Sequence, residues 1–264
     1  MSLLDEVLND VAAESMQLDT WVSGLDAAGW ASVTTPEGWT VAHQIGHLHW
    51  TDDMSVKAAT DPESFSAEAA EAMAAGRFNI VDEMAAEYAT LPPMDLLEAW
   101  RAGRGALVHA LRAVPEGTKV PWFGPPMSPV SMATARMMET WAHAFDVADA
   151  IGVRVAPSDR VKHVCHLGVR TRGFAYLVRG ESDPGVEIRV ELTAPSGDVW
   201  AWGPEDATER VRGSAWDFAL LATRRRARVD VHVQAEGAHA DHWLDIVQAF
   251  AGAPGADPLP LAQR

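Results

Sequence analysis

Glu139 and His143 stand four residues apart in the segment Met137-Met138-Glu139-Thr140-Trp141-Ala142-His143-Ala144-Phe145-Asp146. On a helix that spacing stacks both side chains on one face, with Cβ atoms roughly 6 Å apart. A carboxylate oxygen and an imidazole nitrogen so placed can chelate one divalent ion, as Glu/His pairs do in helix-bundle metal sites. They can equally form a plain Glu–His hydrogen bond between helices. The flanking residues are mostly apolar, and a Glu among them needs a partner or a neutralising proton. His43 and His47 repeat the spacing in Trp39-Thr40-Val41-Ala42-His43-Gln44-Ile45-Gly46-His47-Leu48-His49-Trp50. Beside Ile45 and Leu48, His47 reads as pointing inward, either as a core histidine or as a ligand. Gly46 has no side chain, so a neighbouring helix can come close.

The elements that must position these residues are helical in the first half. Ser2 can cap a helix whose apolar stripe is Leu4, Val7, Leu8, Val11, Leu18, Val22 and Leu25. Thr40 caps a second helix, roughly 41–59, and Asp61-Pro62 ends it. Residues 62–91 are rich in Ala and Glu and predict one or two more helices, and a further one begins near Asp95. Pro115, Gly117, Pro121, Gly124, Pro125, Pro126 and Pro129 make 115–129 a loop, which carries Trp122 and Phe123. A long helix follows over 130–151, stopped by Gly152.

After about 154 the texture changes. One helix is expected over 159–177, then a half-buried strand in which Val186, Ile188, Val190 and Leu192 alternate with Glu187, Arg189 and Glu191. Residues 199–202 and 208–212 read as strands, Ser214 as the cap of a short helix, Val229, Val231 and Val233 as a last strand, and 241–250 as a closing helix. The expected organisation is therefore an N-terminal all-α bundle, 1–154, and a smaller α+β domain, 155–264.

Composition bounds the function. The chain has 264 residues, 48% of them hydrophobic, enough for a real core. A net charge of −16 argues against nucleic-acid partners and against anionic membrane surfaces. No stretch reaches the length of a membrane span. The start Met1-Ser2-Leu3-Leu4-Asp5-Glu6 is acidic where a secretory leader is basic, and a lone Cys165 makes no internal disulfide, so a reducing cytoplasm is expected. Cys165, with only His163 and His166 nearby in sequence, reads as a buried thiol. Arg224-Arg225-Arg226 is the dense basic run of an acidic chain. It is either a solvated helix end, favoured there by the helix dipole, or a source of one guanidinium for a substrate carboxylate in a cleft between the domains. Trp122 and Phe123 can wall that cleft or pack on the bundle.

The segment from Trp39 to Leu48 resembles the W-T-V start of the second helix in the DinB-like superfamily, and more narrowly in the mycothiol-dependent maleylpyruvate isomerase group. Glu139-x₃-His143-x₂-Asp146 is similar to that group's E-x-x-x-H-x-x-D helix. Trp122 to Ser128, Met132 to Arg136, Leu221 to Arg226 and Trp243 to Phe250 resemble a subgroup of metal-binding proteins of high-GC bacteria. The resemblance implies a four-helix bundle followed by a sterol-carrier-like α+β domain, with His47, Glu139 and His143 as metal ligands. His43 stands where the family commonly has Asp, so it either joins the shell or stacks below it. Two imidazoles and one carboxylate suit a catalytic zinc or similar divalent ion with one exchangeable position. Asp146 can orient the His143 ring or be a plain helix-surface carboxylate. Arg77, and Arg225 within the basic run, are the candidates for positioning substrate carboxylates.

The function expected is activation of a low-molecular-weight thiol such as mycothiol, for transfer to or isomerisation of a small electrophile, in a monomer or homodimer. A thiol-independent isomerase, hydratase, lyase or hydrolase is the alternative, as is a non-catalytic small-molecule-binding protein.

Overall fold

The computed structural model describes residues 1–77 and 79–263. It divides into two compact units, Met1–Val155 and Ala156–Arg264. The first is helical: α1 (Leu3–Val22), the short α2 (Ala27–Trp30), α3 (Val41–Thr60), α4 (Pro62–Ala74), α5 (Ile80–Tyr88), α6 (Pro93–Ala113) and α7 (Pro129–Ile151). The long helices α1, α3, α6 and α7 form a four-helix bundle in which α3 packs on α6 and α7, and α1 on α7 and α6. Its core gathers Leu18 and Val22 of α1, Val41, Ile45 and Leu48 of α3, Leu96, Leu97 and Trp100 of α6, and Ala144 and Val147 of α7. Those positions recur at helical spacing, so their burial fixes the rotation of every helix about its axis.

Local signals set the ends. The Ser2 and Ser128 side chains accept from the third backbone N–H beyond them, Pro129 occupies the first turn of α7, and Gly152 closes α7 at a φ of 71°. Pro93 likewise opens α6. The loop before α7 is held by a short antiparallel bridge between Val120 and Met127. Gly46 permits the approach of α5: a Cβ there would lie 2.9 Å from Tyr88 Cβ and 3.1 Å from the Ala85 carbonyl oxygen.

The second unit carries α8 (Val161–Arg170), α9 (Arg172–Leu177), β1 (Ile188–Thr193), β2 (Val199–Trp202), β3 (Glu209–Ser214), α10 (Ala215–Ala222), β4 (Val233–Glu236) and α11 (Ala238–Ile246). The sheet order is β2-β1-β3-β4, with β1 antiparallel to β2 and parallel to β3, and β4 antiparallel to β3. Ile188, Val190 and Leu192 of β1 and Val211 of β3 are buried, as the alternation requires.

Three boundaries differ from the sequence expectation. The helix expected over 159–177 breaks at Thr171, whose hydroxyl lies within hydrogen-bond reach of the Leu167 carbonyl at 2.9 Å and of the Gln248 carbonyl at 2.6 Å. The Val229–Val233 alternation is not one strand: Arg228–Asp230 is a 3-10 turn and β4 starts at Val233. Val233 pairs with Gly213, and the last cross-strand bond is from Ser214 N–H to the His232 carbonyl at 3.1 Å, where β3 ends and Ser214 caps α10. The closing helix runs from Ala238 to Ile246, because Val247 is extended and Ala249 N–H donates to the Ala222 carbonyl at 2.8 Å.

Candidate metal centre

The centre is built between α3 and α7. Thr40 opens α3, and its backbone N–H donates to His43 Nδ1 at 3.3 Å, while its Oγ1 lies 2.9 Å from the same nitrogen. His43 thus spends Nδ1 on the helix end, the part that an acidic or amide side chain plays at the third position of a capping box. One turn on, His47 is 6% exposed and His143 of α7 is 9% exposed. Nε2 of His47 lies 3.3 Å and Nε2 of His143 3.1 Å from the same Oε2 of Glu139. The two imidazole centroids are 4.4 Å apart. Among the described residues, His47, Glu139 and His143 are the cluster with metal-binding geometry, their ligand atoms all within 4.8 Å of one another.

This set fits a divalent ion. Zinc bonds of about 2.0–2.1 Å at tetrahedral angles place neighbouring ligand atoms about 3.4 Å apart, close to the spacings found. Burial alone would raise the Glu139 pKa, but the hydrogen bonds and charge of His143 and His47 outweigh it and hold the carboxyl well below its ordinary range. The carboxylate is therefore ionised. The Glu139 side chain is 22% exposed, against 8% and 11% for His47 and His143, so the way in from solvent lies on its side.

Trp39 walls the centre. Its ring stacks on His143 at 5.9 Å between centroids, 18° from parallel, and tilts over His47 at 5.5 Å. The indole N–H donates to Asp82 of α5 at 3.0 Å. Behind His143, Gln44 presents Oε1 to Nδ1. Trp39, Gln44 and Asp82 carried no expectation as site residues. The W-T-V pattern marks Trp39 as a helix-start residue, and nothing local joins Gln44 to a histidine 99 positions away.

The remaining sequence candidates are distributed as follows. Asp146 is buried on α7, 2% exposed, which makes it no helix-surface residue. Arg77 is ion-paired with Glu83 through Nε at 3.0 Å and Nη2 at 2.7 Å, in solvent. Trp122 stacks on Phe65 of α4 with 5° between planes, and Phe123 stacks on Trp50 of α3 at 5.9 Å, so both pack on the bundle. In the second unit, Arg225 Nη1 donates to the Thr223 carbonyl at 2.7 Å, where the chain leaves α10. Arg224 sits there at a φ of 61° with its side chain 9% exposed and paired with Asp257, so the basic run is more than a solvated helix end. Cys165 is fully buried, its Sγ 3.2 Å from the Ala215 carbonyl, and burial pushes its thiol pKa up. No helix among the described residues is long and apolar enough to cross a membrane.

A family model described as the mycothiol maleylpyruvate isomerase N-terminal domain matches residues 11–148. A model described as wyosine base formation matches residues 184–234. Two uncharacterized proteins of Mycobacterium tuberculosis, from strains CDC 1551 and H37Rv, are each 52% identical over 246 residues, which is 93% of this chain and 95% of the relative. Two crystal structures of mycothiol-dependent maleylpyruvate isomerase, one of them a mutant, share the fold with TM-scores of 0.60 and 0.58. They are 19% and 18% identical, and each superposition covers 90% of this chain and 95% of theirs.

Proposed function

Because the chain belongs to the mycothiol maleylpyruvate isomerase N-terminal domain family, and because three ligand atoms converge between α3 and α7, we propose that it is a divalent-metal-dependent enzyme. It activates a low-molecular-weight thiol of the mycothiol kind for transfer to, or isomerisation of, a small electrophile. Zinc, the metal best suited to this donor set, would supply Lewis acidity and favour the thiolate or hydroxide form of whatever joins it.

The chain's own residues do the rest. His47 and His143 each present Nε2, and Glu139 presents one oxygen, leaving an open position towards the less buried carboxylate. One carboxylate against a doubly charged ion leaves a local charge of about +1, which favours an anionic reactant. Trp39 covers both imidazoles and keeps water from that face. Buried Cys165 is no source of thiolate, so the sulfur nucleophile comes from a cosubstrate. Arg77, ion-paired with Glu83 in the same unit as the centre, is the guanidinium proposed to take a substrate carboxylate. Such chemistry belongs in a reducing cytoplasm and asks for no nucleic-acid or membrane partner; a monomer or homodimer suffices.

The observation that carries this reading is the convergence of both imidazoles on one carboxylate oxygen. The test is turnover of candidate electrophiles, maleylpyruvate first, by zinc-loaded protein with and without mycothiol, beside His47→Ala. Thiol-dependent turnover that drops at least a hundredfold in the variant is expected. Equal rates remove the metal from the mechanism, and undiminished turnover without thiol leaves Lewis-acid catalysis alone.

A further inference from the structure

The two ligating histidines differ at their second nitrogen. Nδ1 of His47 is buried with no hydrogen-bond partner. Nδ1 of His143 meets Gln44 Oε1, and Gln44 is itself fully buried. From Gln44 a chain of bonds runs outward and ends at a group whose role cannot change. Gln44 Nε2 lies 2.8 Å from Thr34 Oγ1, and Thr34 Oγ1 lies 3.0 Å from the Trp39 carbonyl oxygen. A carbonyl oxygen only accepts, so the Thr34 hydroxyl donates to it. The Thr34 oxygen then accepts, so Gln44 turns its NH₂ towards Thr34. That leaves the Gln44 carbonyl facing His143, whose Nδ1 must carry the proton. Nε2 of His143 is then the ring nitrogen left for a cation, and it points at Glu139 Oε2 from 3.1 Å.

We propose that Gln44 is a positioning residue for the metal centre. Held in one amide orientation by Thr34 and the Trp39 carbonyl, it locks His143 in the Nδ1–H tautomer and presets Nε2 for a cation. This rests on the metal reading above and deepens it, because it makes His143 the preorganised ligand and His47 the adaptable one. The loop before α3 takes part as well: Thr34 N–H also donates to the Trp39 carbonyl, at 2.8 Å, so the segment that carries the Trp39 wall also fixes the Gln44 amide. Partners of this kind change metal affinity by about 10–100-fold when removed.

The test is zinc affinity of the full chain, by competition with a chromophoric chelator, for the wild type, Gln44→Ala, Gln44→Glu and Thr34→Val. Long-range ¹H–¹⁵N spectra of the metal-free imidazoles and a metal-free melting curve accompany each. Gln44→Ala is expected to weaken zinc binding at least tenfold and to mix the His143 tautomers. Gln44→Glu, which still accepts from Nδ1–H, is expected to restore binding to within a few-fold of wild type. Thr34→Val, which frees the amide to flip while leaving Gln44 in place, should fall between them. The proposal is overturned if Gln44→Ala binds zinc as tightly as the wild type, or if Gln44→Glu and Gln44→Ala lose affinity equally. It is also overturned if the wild-type His143 carries its proton on Nε2. Should Gln44→Ala not fold, Gln44→Glu and Thr34→Val decide the matter by the same affinities and spectra. A wild type that binds no zinc overturns the metal reading itself, and is seen before any variant is compared.

Discussion

Arg136 of α7 and Asp52 of α3 form an ion pair with Nε 2.9 Å from Oδ1 and almost no solvent exposure on either side. It joins the same two helices that carry the candidate ligands, with Arg136 three residues before Glu139 and Asp52 five after His47. Burial pushes the Asp52 carboxyl up, and Arg136 offsets only part of that by charge and hydrogen bonding. Removing one partner strands the other charge in the core, which typically costs about 3–5 kcal/mol. Arg136→Met and Asp52→Asn are each expected to lower stability by about that much in urea melts, whereas Asp52→Leu with Arg136→Met is expected to recover most of it. Additive losses would show that the pair is not coupled.

Gly46 gives a prediction of opposite sign to helix propensity. Alanine is the better helix former by about 1 kcal/mol. At this position, however, a Cβ would come within 2.9 Å of Tyr88 Cβ and 3.1 Å of a backbone carbonyl, so α5 has to move. Gly46→Ala is expected to destabilise the bundle by about 1–3 kcal/mol, read as a drop in Tm. Because α5 also carries Asp82, which holds the Trp39 indole, zinc affinity should weaken with it. A raised Tm would show that α5 does not press on α3.

Asp19 sets a pH dependence. It ties α1 to α6 by accepting from Arg101 at 2.8 and 2.6 Å and from Arg104. The Arg101 hydrogen bonds hold its carboxyl below the usual range against the opposing effect of burial, and Arg104 adds to the lowering. A pKa depressed in the folded state stabilises above the unfolded pKa of about 3.9 and stops doing so as pH falls through the folded value. Wild type should therefore exceed Asp19→Asn by roughly 1–3 kcal/mol at neutral pH, nearer the lower figure because Arg101 is partly solvated. The gap should persist down to about pH 4 and close below it. A gap that widens in acid would contradict the assignment.

Much of the fold was written in short-range pattern. The 3.6-residue stripes, the Ser2 and Thr40 caps and Gly152 marked α1, α3 and the end of α7, and the two-residue alternation from Val186 to Leu192 marked β1, which starts at Ile188. The i,i+4 relation of Glu139 and His143 was legible for the same reason: a helix brings such residues together whatever surrounds it. That His47 turns towards Glu139 and His143 while His43 caps α3 was not decidable locally, since both lie on one helix face at the same spacing. The choice came from the rotation of α3 against α7, fixed by burying Val41, Ile45 and Leu48. Likewise Gln44, Trp39 and Asp82 meet the centre only because three separate segments converge. The extent of β4 depended on its register against β3, whose partner no local pattern names. Sequence alone settled most of the elements and the Glu139–His143 pair, two of the three candidate ligands, through neighbours on one helix whose geometry is fixed by the backbone. Tertiary packing decided the placement of His47 beside them, its hydrogen-bonded surroundings and the buried Asp52–Arg136 pair, because contacts between residues some 80 to 100 positions apart depend on how whole helices are rotated and pressed together.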